Sequence, residues 1–154
     1  MPMIDVTYPA GPLADDSRAT LVDELTGRLL RAERAPDTDF FRSITWVYVH
    51  ELPEHTVNAA GKPVEQPTYR LQVTIPQGAL SDRRKQEFVT AATEAVSQAA
   101  GLGEDDGLRI WVIFSEVPDG NWGAAGQVVR FEQLREAALA ERAKAEGEPA
   151  PATA

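Results

Sequence analysis

The sequence predicts an α+β fold: two successive β-α-β units that build one four-stranded mixed sheet with two helices on one face. Three observations carry this reading. A block of residues recurs at a fixed spacing. Each copy holds an alternating strand, an amphipathic helix and a second strand, in that order. And 154 residues with 43% hydrophobics suffice for a shared core of ordinary size.

The repeat is explicit. Trp46-Val47-Tyr48-Val49-His50-Glu51-Leu52-Pro53, followed by Ala59-Ala60-Gly61, returns as Trp111-Val112-Ile113-Phe114-Ser115-Glu116-Val117-Pro118, followed by Ala124-Ala125-Gly126, at an offset of 65. The same offset carries Pro2 onto Pro67, each ahead of a strand-like run. Between these anchors the register drifts to 67, matching Leu21 with Phe88, Val22 with Val89, Leu25 with Ala92 and Leu29 with Val96. Unit 1 is therefore expected over 2–66 and unit 2 over 67–130, within a single domain that runs to residue 146.

Ile4, Val6 and Tyr8 alternate with Met3, Asp5 and Thr7, the period-2 pattern of a strand with one apolar face; Tyr69, Leu71, Val73 and Ile75 repeat it more strongly. Pro9-Ala10-Gly11-Pro12 and Pro76-Gln77-Gly78 break these strands. Helices follow, expected to be capped by the Asp15-Asp16-Ser17 region and by Ser81 with Asp82. They present Leu21, Leu25 and Leu29, and Phe88, Ala92 and Val96, as core stripes. Ala35-Pro36-Asp37 and Gly101-Leu102-Gly103 end the helices, and the Trp46 and Trp111 strands come next, each parallel to its unit's first strand through a right-handed crossover. A short strand over Gln127–Arg130 and a helix over about 131–146 are expected after Gly126. Residues 147–154, G-E-P-A-P-A-T-A, are expected to form a disordered tail.

Strand parity has a quaternary implication. Trp46, Tyr48 and His50 share one side of their strand, as do Trp111, Ile113 and Ser115, while Val47, Val49, Val112 and Phe114 suit the helix-packed side. An open sheet face bearing these large side chains calls for a cover, and self-association into a cyclic oligomer supplies one.

Several classes fall away. A net charge of −9, with Arg83-Arg84-Lys85 as the densest basic run, excludes a nucleic-acid partner. No cysteine and only His50 and His55 leave no conventional metal site. No apolar run is long enough to span a bilayer and Met1-Pro2-Met3-Ile4-Asp5 is no signal peptide, so neither a membrane partner nor export is expected and the chain reads as cytoplasmic.

Pro2 opening Met3-Ile4-Asp5-Val6, the strand Ile110 to Pro118, and the turn Asp119-Gly120-Asn121-Trp122-Gly123-Ala124-Ala125-Gly126 together resemble the tautomerase superfamily. The turn is similar to the glycine-bearing hairpin of 4-oxalocrotonate tautomerase, with Trp122 in place of phenylalanine. The strand resembles fused, double-length members such as cis-3-chloroacrylic acid dehalogenase. Coverage runs from Pro2 to about Arg130.

The resemblance implies a tautomerase/MIF-like fold assembled as a homotrimer, and a catalytic Pro2 freed by removal of Met1. Proline's secondary amine, titrating near neutrality and lower in an apolar pocket, suits a general base at pH 7. Pro67 is internal and its nitrogen is an amide. The relatives' two arginines after the second unit's first strand are missing, replaced by Pro76, Gln77, Gly78, Ala79 and Leu80, and Trp46 and Trp111 stand where the short tautomerase carries an arginine.

The expected activity is a cofactor-independent tautomerase or isomerase acting on small 2-oxo or enol acids. A same-fold decarboxylase or hydratase and a non-catalytic oligomeric binding protein are the alternatives. Candidate substrate-binding residues are Arg70, Trp111, Asn121, Trp122, Tyr48 and His50. Arg70 reads either as a substrate ligand or as structural, paired with Asp5 if the units meet about a pseudo-twofold axis. Asn121 reads either as a ligand for a substrate oxygen or as a turn residue with positive φ. His50 reads as a site residue or as a hydrogen-bonded interface residue. Arg42 and Arg109 are further anion-binder candidates, and Arg83, Arg84 and Lys85 read as a solvated helix face.

Overall fold

The computed structural model describes residues 2–147, with side chains to residue 144, so the tail expected over 148–154 lies outside the described residues. Strand β1 (Met3–Pro9) leads into helix α1 (Asp15–Glu33), a short helix α2 (Asp39–Ser43) and strand β2 (Trp46–Leu52). A small hairpin, β3 (Asn58–Ala59) with β4 (Lys62–Pro63), precedes the second unit: β5 (Tyr69–Pro76), α3 (Asp82–Ala100), a 3₁₀ turn over Glu104–Arg109 and β6 (Ile110–Val117). A second hairpin, β7 (Trp122–Ala124) with β8 (Gln127–Val129), leads to α4 (Phe131–Gly147), which runs one residue beyond its expected end.

The sheet order is β2-β1-β5-β6. β1 runs parallel to β2 and β5 parallel to β6, as the crossovers require, and the units meet through the antiparallel pair β1 and β5. That central pairing defines a pseudo-twofold axis. The registers Met3↔Thr74, Asp5↔Gln72 and Thr7↔Arg70 map onto themselves when residues are exchanged at an offset of 67, with Asp5 and Gln72 facing each other at the centre.

This corrects the expected register of the first strands. The offset is 67 from β1 and β5 through the helices to their left-handed caps, Arg34 (φ 57°) and Gly101 (φ 63°), and becomes 65 only from Trp46 and Trp111 onward. Pro2 therefore corresponds to Tyr69, and Pro67 lies two residues ahead of its strand. The two residues are lost in the connection: the first unit has the longer crossing, Arg34 to Trp46, and forms α2 there, while the second makes the shorter crossing, Gly101 to Trp111, through a tighter 3₁₀ turn. Both connections end alike, with the Trp46 indole N–H donating to Ser43 O and that of Trp111 to Leu108 O, each at 3.2 Å.

The core forms where α1 and α3 cover the inward face of the sheet. Ile4, Val6, Leu71, Val73 and Ile75 meet Leu21, Leu25, Leu29, Phe88, Ala92 and Val96, all essentially inaccessible, with Val47, Val49, Val112 and Phe114 packed against them. The expected stripes are the buried ones. Capping differs in one helix: Ser81 Oγ accepts from Arg84 N, whereas α1 starts at Ala14 with no side-chain cap and relies on Asp15 and Asp16 in its positive first turn. Arg84 is no plain surface residue, since its Nη1 donates to Ala32 O and ties α3 to α1.

The duplicated Ala-Ala-Gly is a hairpin turn. Ala60 and Gly61 (φ 50° and 75°), like Ala125 and Gly126 (φ 50° and 73°), take two successive left-handed conformations, the type I′ pattern whose twist matches the flanking strands.

Candidate active site

At the start of β1 the chain surrounds a cavity of about 580 Å³. Its floor is Pro2 and Met3, with Thr74 beside them across the β1–β5 pairing. One wall is the end of α2, Ser43 and Ile44, with Trp46 at the start of β2. The other is Val117 at the end of β6 and the hairpin from Asn121 to Ala125, with Trp122 among its residues. Pro2 is buried, and its carbonyl accepts from Trp46 N at 3.2 Å, which fixes the chain start against β2.

The hairpin is held in place by its own polar contacts. Asn121 N donates to Pro118 O at 3.0 Å and closes the turn, while Asp119 Oδ1 accepts from Phe131 N at 2.9 Å and caps α4. That bond, with help from Arg130, holds the Asp119 carboxyl below the usual range. The left-handed position is taken by Gly120 (φ 89°), not Asn121, so the positive-φ reading of Asn121 falls away and its side chain is free for the cavity. A Cβ on Gly120 would collide with the Arg130 guanidinium.

The structure brings together three of the expected site residues, Pro2, Asn121 and Trp122, and leaves four elsewhere. Tyr48, His50, Arg70 and Trp111 lie on the open sheet face away from this cavity. Their neighbours follow from register: His50 Nε2 and Asp5 Oδ1 meet at 2.7 Å, and the Tyr48 ring lies between those of Trp46 and His50 at 6.2 and 6.3 Å. The expected pairing of Arg70 with Asp5 does not form, because Asp5 faces Gln72 and Arg70 faces Thr7, whose hydroxyl accepts from Arg70 Nη2 at 3.3 Å.

Arg42 and Arg109 are committed. Arg42 binds Asp37 at 2.5 Å and Asp23 at 2.7 Å, and Arg109 binds Asp106 and Pro67 O, both at 2.8 Å. Sequence reasoning missed Ser43, Ile44 and Thr74 as cavity residues. Thr74 was accessible in principle, since parity puts it on the polar face of β5 opposite Met3; the α2 residues carried no such signal.

Chemically the cavity is an apolar, half-open cleft lined by two indoles, one side-chain amide, two hydroxyls and a proline. Among the described residues no Lys, Arg or His lines it, and no group of His, Asp or Glu side chains forms a metal cluster. No helix among them is long and apolar enough to cross a membrane.

Comparison with known proteins gives this arrangement a context. Residues 71–132, from β5 into the start of α4, match the family model described as tautomerase enzyme. The fold is similar to that of N1, a member of the cis-3-chloroacrylic acid dehalogenase family, at 21% identity and TM-score 0.72, covering 94% of this chain and 96% of that one. It is also similar to Pt0534 inactivated by 2-oxo-3-pentynoate (17% identity, TM-score 0.70, 86% and 98% covered). A third likeness is to a wild-type fused 4-OT solved as a symmetric trimer (18%, 0.68, 83% and 94%). No curated protein matches by sequence. At these identities the likeness to the solved structures is one of fold.

Proposed function

We propose that this chain, which belongs to the tautomerase superfamily, is a cofactor-independent tautomerase of small 2-oxo or enol acids that carries protons on the amine of Pro2. The observation that supports this most is position: Pro2 is buried at the base of the cavity of about 580 Å³, between Met3, Trp46 and the Asn121–Ala125 hairpin.

The chemistry follows from the amine. Once Met1 is removed, Pro2 presents a secondary amine. An apolar surround disfavours the ammonium form, so a useful fraction is neutral at pH 7. With a 2-hydroxy enol acid bound, the amine accepts the hydroxyl proton, leaving an enolate and a prolinium. The prolinium then returns a proton to the enolate carbon, giving the 2-oxo acid and regenerating the amine. No proton or electron is gained overall. In this reading Asn121, which lines the cavity, donates its amide N–H to the enolate oxygen, and Trp46 and Trp122 keep water from it.

The trimer belongs to the same reading. The open sheet face exposes Trp46, Tyr48, Trp111 and Ile113, more apolar side chain than an isolated chain of this size comfortably leaves in water, and a cyclic trimer covers it.

Phenylenolpyruvate ketonisation tests the activity, on chain shown by mass spectrometry to lack Met1. Pro2→Ala should lower kcat/KM by about 10²–10⁴-fold, the usual span for a lost general base. Turnover by Pro2→Ala at the parental rate would defeat the proposal. 2-Oxo-3-pentynoate supplies an independent readout, because a nucleophilic amine adds to its conjugated alkyne: an N–C bond forms and the amine proton passes to the neighbouring carbon. The N-terminal peptide should carry the adduct, and the Pro2→Ala protein should not carry it at proline's rate.

A further inference from the structure

One acid side chain near the chain start takes no part in the chemistry proposed for Pro2. Glu33 closes the core stripe of α1: Leu21, Leu25 and Leu29 are buried at four-residue spacing, and the next position in that series is a carboxyl. Its counterpart at the offset of 67 is Ala100, which follows Phe88, Ala92 and Val96 in α3 and packs on the core. The exchange at the helix ends matches the exchange at the strand starts. Where the second unit has the large Tyr69 and a small alanine, the first has the small ring of Pro2 and a long acid.

Topology brings Pro2 and Glu33 to the same end of the molecule. β1 and β2 are parallel, so the helix between them runs back along the sheet and ends over the start of β1. Pro2 is buried and shares the core-facing parity of Ile4 and Val6. Continuing the pairing Met3↔Thr74 by one residue puts Pro2 opposite Ile75, beside Pro76, and Pro76 lines the small cavity on which Glu33 lies. Helix α2 serves both sides: Phe41 lines the Glu33 cavity, while Ser43 and Ile44 line the Pro2 cavity.

Glu33 has cations around it but no fixed partner. Arg34 and, from α4, Arg135 line its cavity, to which α2 and β5 bring only the uncharged Phe41 and Pro76. Arg142 of α4 donates to Arg34 O, and Arg84 of α3 donates to Ala32 O at 3.0 Å. None of these closes an ion pair with Glu33 among the described residues. Burial pushes the carboxyl up to about 7, and among the cations that oppose that rise the amine of the chain start comes ahead of Arg84. With Met1 removed, that amine is Pro2's own.

We infer that Glu33 is the counter-charge of the Pro2 amine, a positioning residue that raises the amine's basicity and holds the prolinium formed when the enol hydroxyl gives up its proton. The proton goes to nitrogen and from there to carbon; Glu33 supplies only charge. An ionised carboxylate nearby favours the protonated amine, which therefore loses its proton at higher pH than it would alone, and the neutral form is the stronger base. This rests on the Pro2 reading and deepens it by naming what sets the pH range of that amine.

2-Oxo-3-pentynoate reads the amine directly, since only the neutral form adds to the alkyne. Mass spectrometry follows the rate at which the N-terminal peptide of chain lacking Met1 gains the adduct, across about pH 5–9. Glu33→Gln keeps the shape and removes the charge. Its midpoint should lie about one pH unit below the parent's, so that on the acid side labelling relative to the plateau rises about tenfold. The acid limb of kcat/KM for phenylenolpyruvate should move with it, which lost packing alone would not do. An unchanged midpoint in Glu33→Gln overturns the inference, and turnover that persists leaves the tautomerase reading standing. A shifted midpoint in a protein that labels but does not ketonise the enol sinks the tautomerase reading and keeps the pair. Should Glu33→Gln fail to fold, the nitrogen NMR resonance of Pro2 in isotope-labelled parental protein decides: a coupled pair titrates in two steps, an isolated amine in one. A single step overturns the inference.

Discussion

The two ends of the sheet are the same structure built twice and put to different use. At one end Pro2, Met3, Trp46, Thr74 and the β7–β8 hairpin enclose a cavity. At the other, their counterparts Tyr69, Arg70, Trp111, Thr7 and the β3–β4 hairpin do not line any cavity described here. The decisive exchange is Pro2 for Tyr69. Tyr69 is 2% exposed, with its ring 5.9 Å from that of Tyr8, and it fills the position that the first unit leaves to a small ring. On the proposed reading, removal of Met1 frees a secondary amine at Pro2 alone, so the first unit's end would do the amine chemistry while Tyr69 strengthens the core at the other.

The largest test of that contrast substitutes both counterparts. Pro2→Ala should abolish most turnover, as argued above, while hardly touching stability. Tyr69→Leu should do the reverse, lowering the free energy of unfolding in urea by about 2–3 kcal/mol through the lost ring contacts and the space left behind, with kcat/KM kept in the folded fraction. If Tyr69→Leu silenced a stable enzyme, the division of labour between the ends would be wrong.

The next effect concerns the indoles that the two ends have in common. Trp46→Ser and Trp111→Ser should each weaken assembly, visible as a concentration-dependent mass in light scattering. Trp46→Ser should also raise KM at saturating protein concentration, because Trp46 lines the cavity of its own chain. Smaller still is the hairpin comparison. Trp122→Ala should raise KM for phenylenolpyruvate several-fold through lost contact area, whereas Val57→Ala at the corresponding position should leave it unchanged.

The sequence carried the architecture because the physics of each element is local: period-2 strands, four-residue helical stripes, and a Trp-led strand written twice. Its reading of the first strands slipped by two residues because Pro2 and Pro67 look alike as letters. A shift of two residues keeps the same side chains on the core face, so parity could not decide; the antiparallel register of β1 with β5, Met3↔Thr74 and Thr7↔Arg70 about Asp5↔Gln72, is symmetric only at an offset of 67. The site divided in the same way. Pro2, Asn121 and Trp122 were legible because they sit on a strand start and a hairpin that the repeat had located. Ser43 and Ile44 were not, since they end a connection whose length and sequence differ between the units, a five-residue helix in the first and a 3₁₀ turn in the second. The four residues expected by parity on the open face do lie there; parity alone could not say which end of the face held the cavity.

The finest difference between the units lies at the helix ends. Glu33 ends α1 where Ala100 ends α3, and it sits beside a small cavity lined also by Phe41, Pro76 and Phe131. Removal from water pushes its carboxyl up to about 7, against the opposing pull of Arg84. Between the ordinary value of 4.5 and about 7 the folded chain therefore keeps a proton that the unfolded chain has lost, so this group's contribution to stability falls as pH rises through that window. Above it, the cost of the buried charge is fully present. Glu33→Gln keeps a neutral group of the same shape and should flatten that slope, leaving stability at pH 5 nearly unchanged and raising it at pH 8 by ~1–2 kcal/mol, a figure reduced for the water that still reaches the side chain. Urea unfolding at the two pH values checks it. A parental slope retained in Glu33→Gln would place the pH dependence elsewhere.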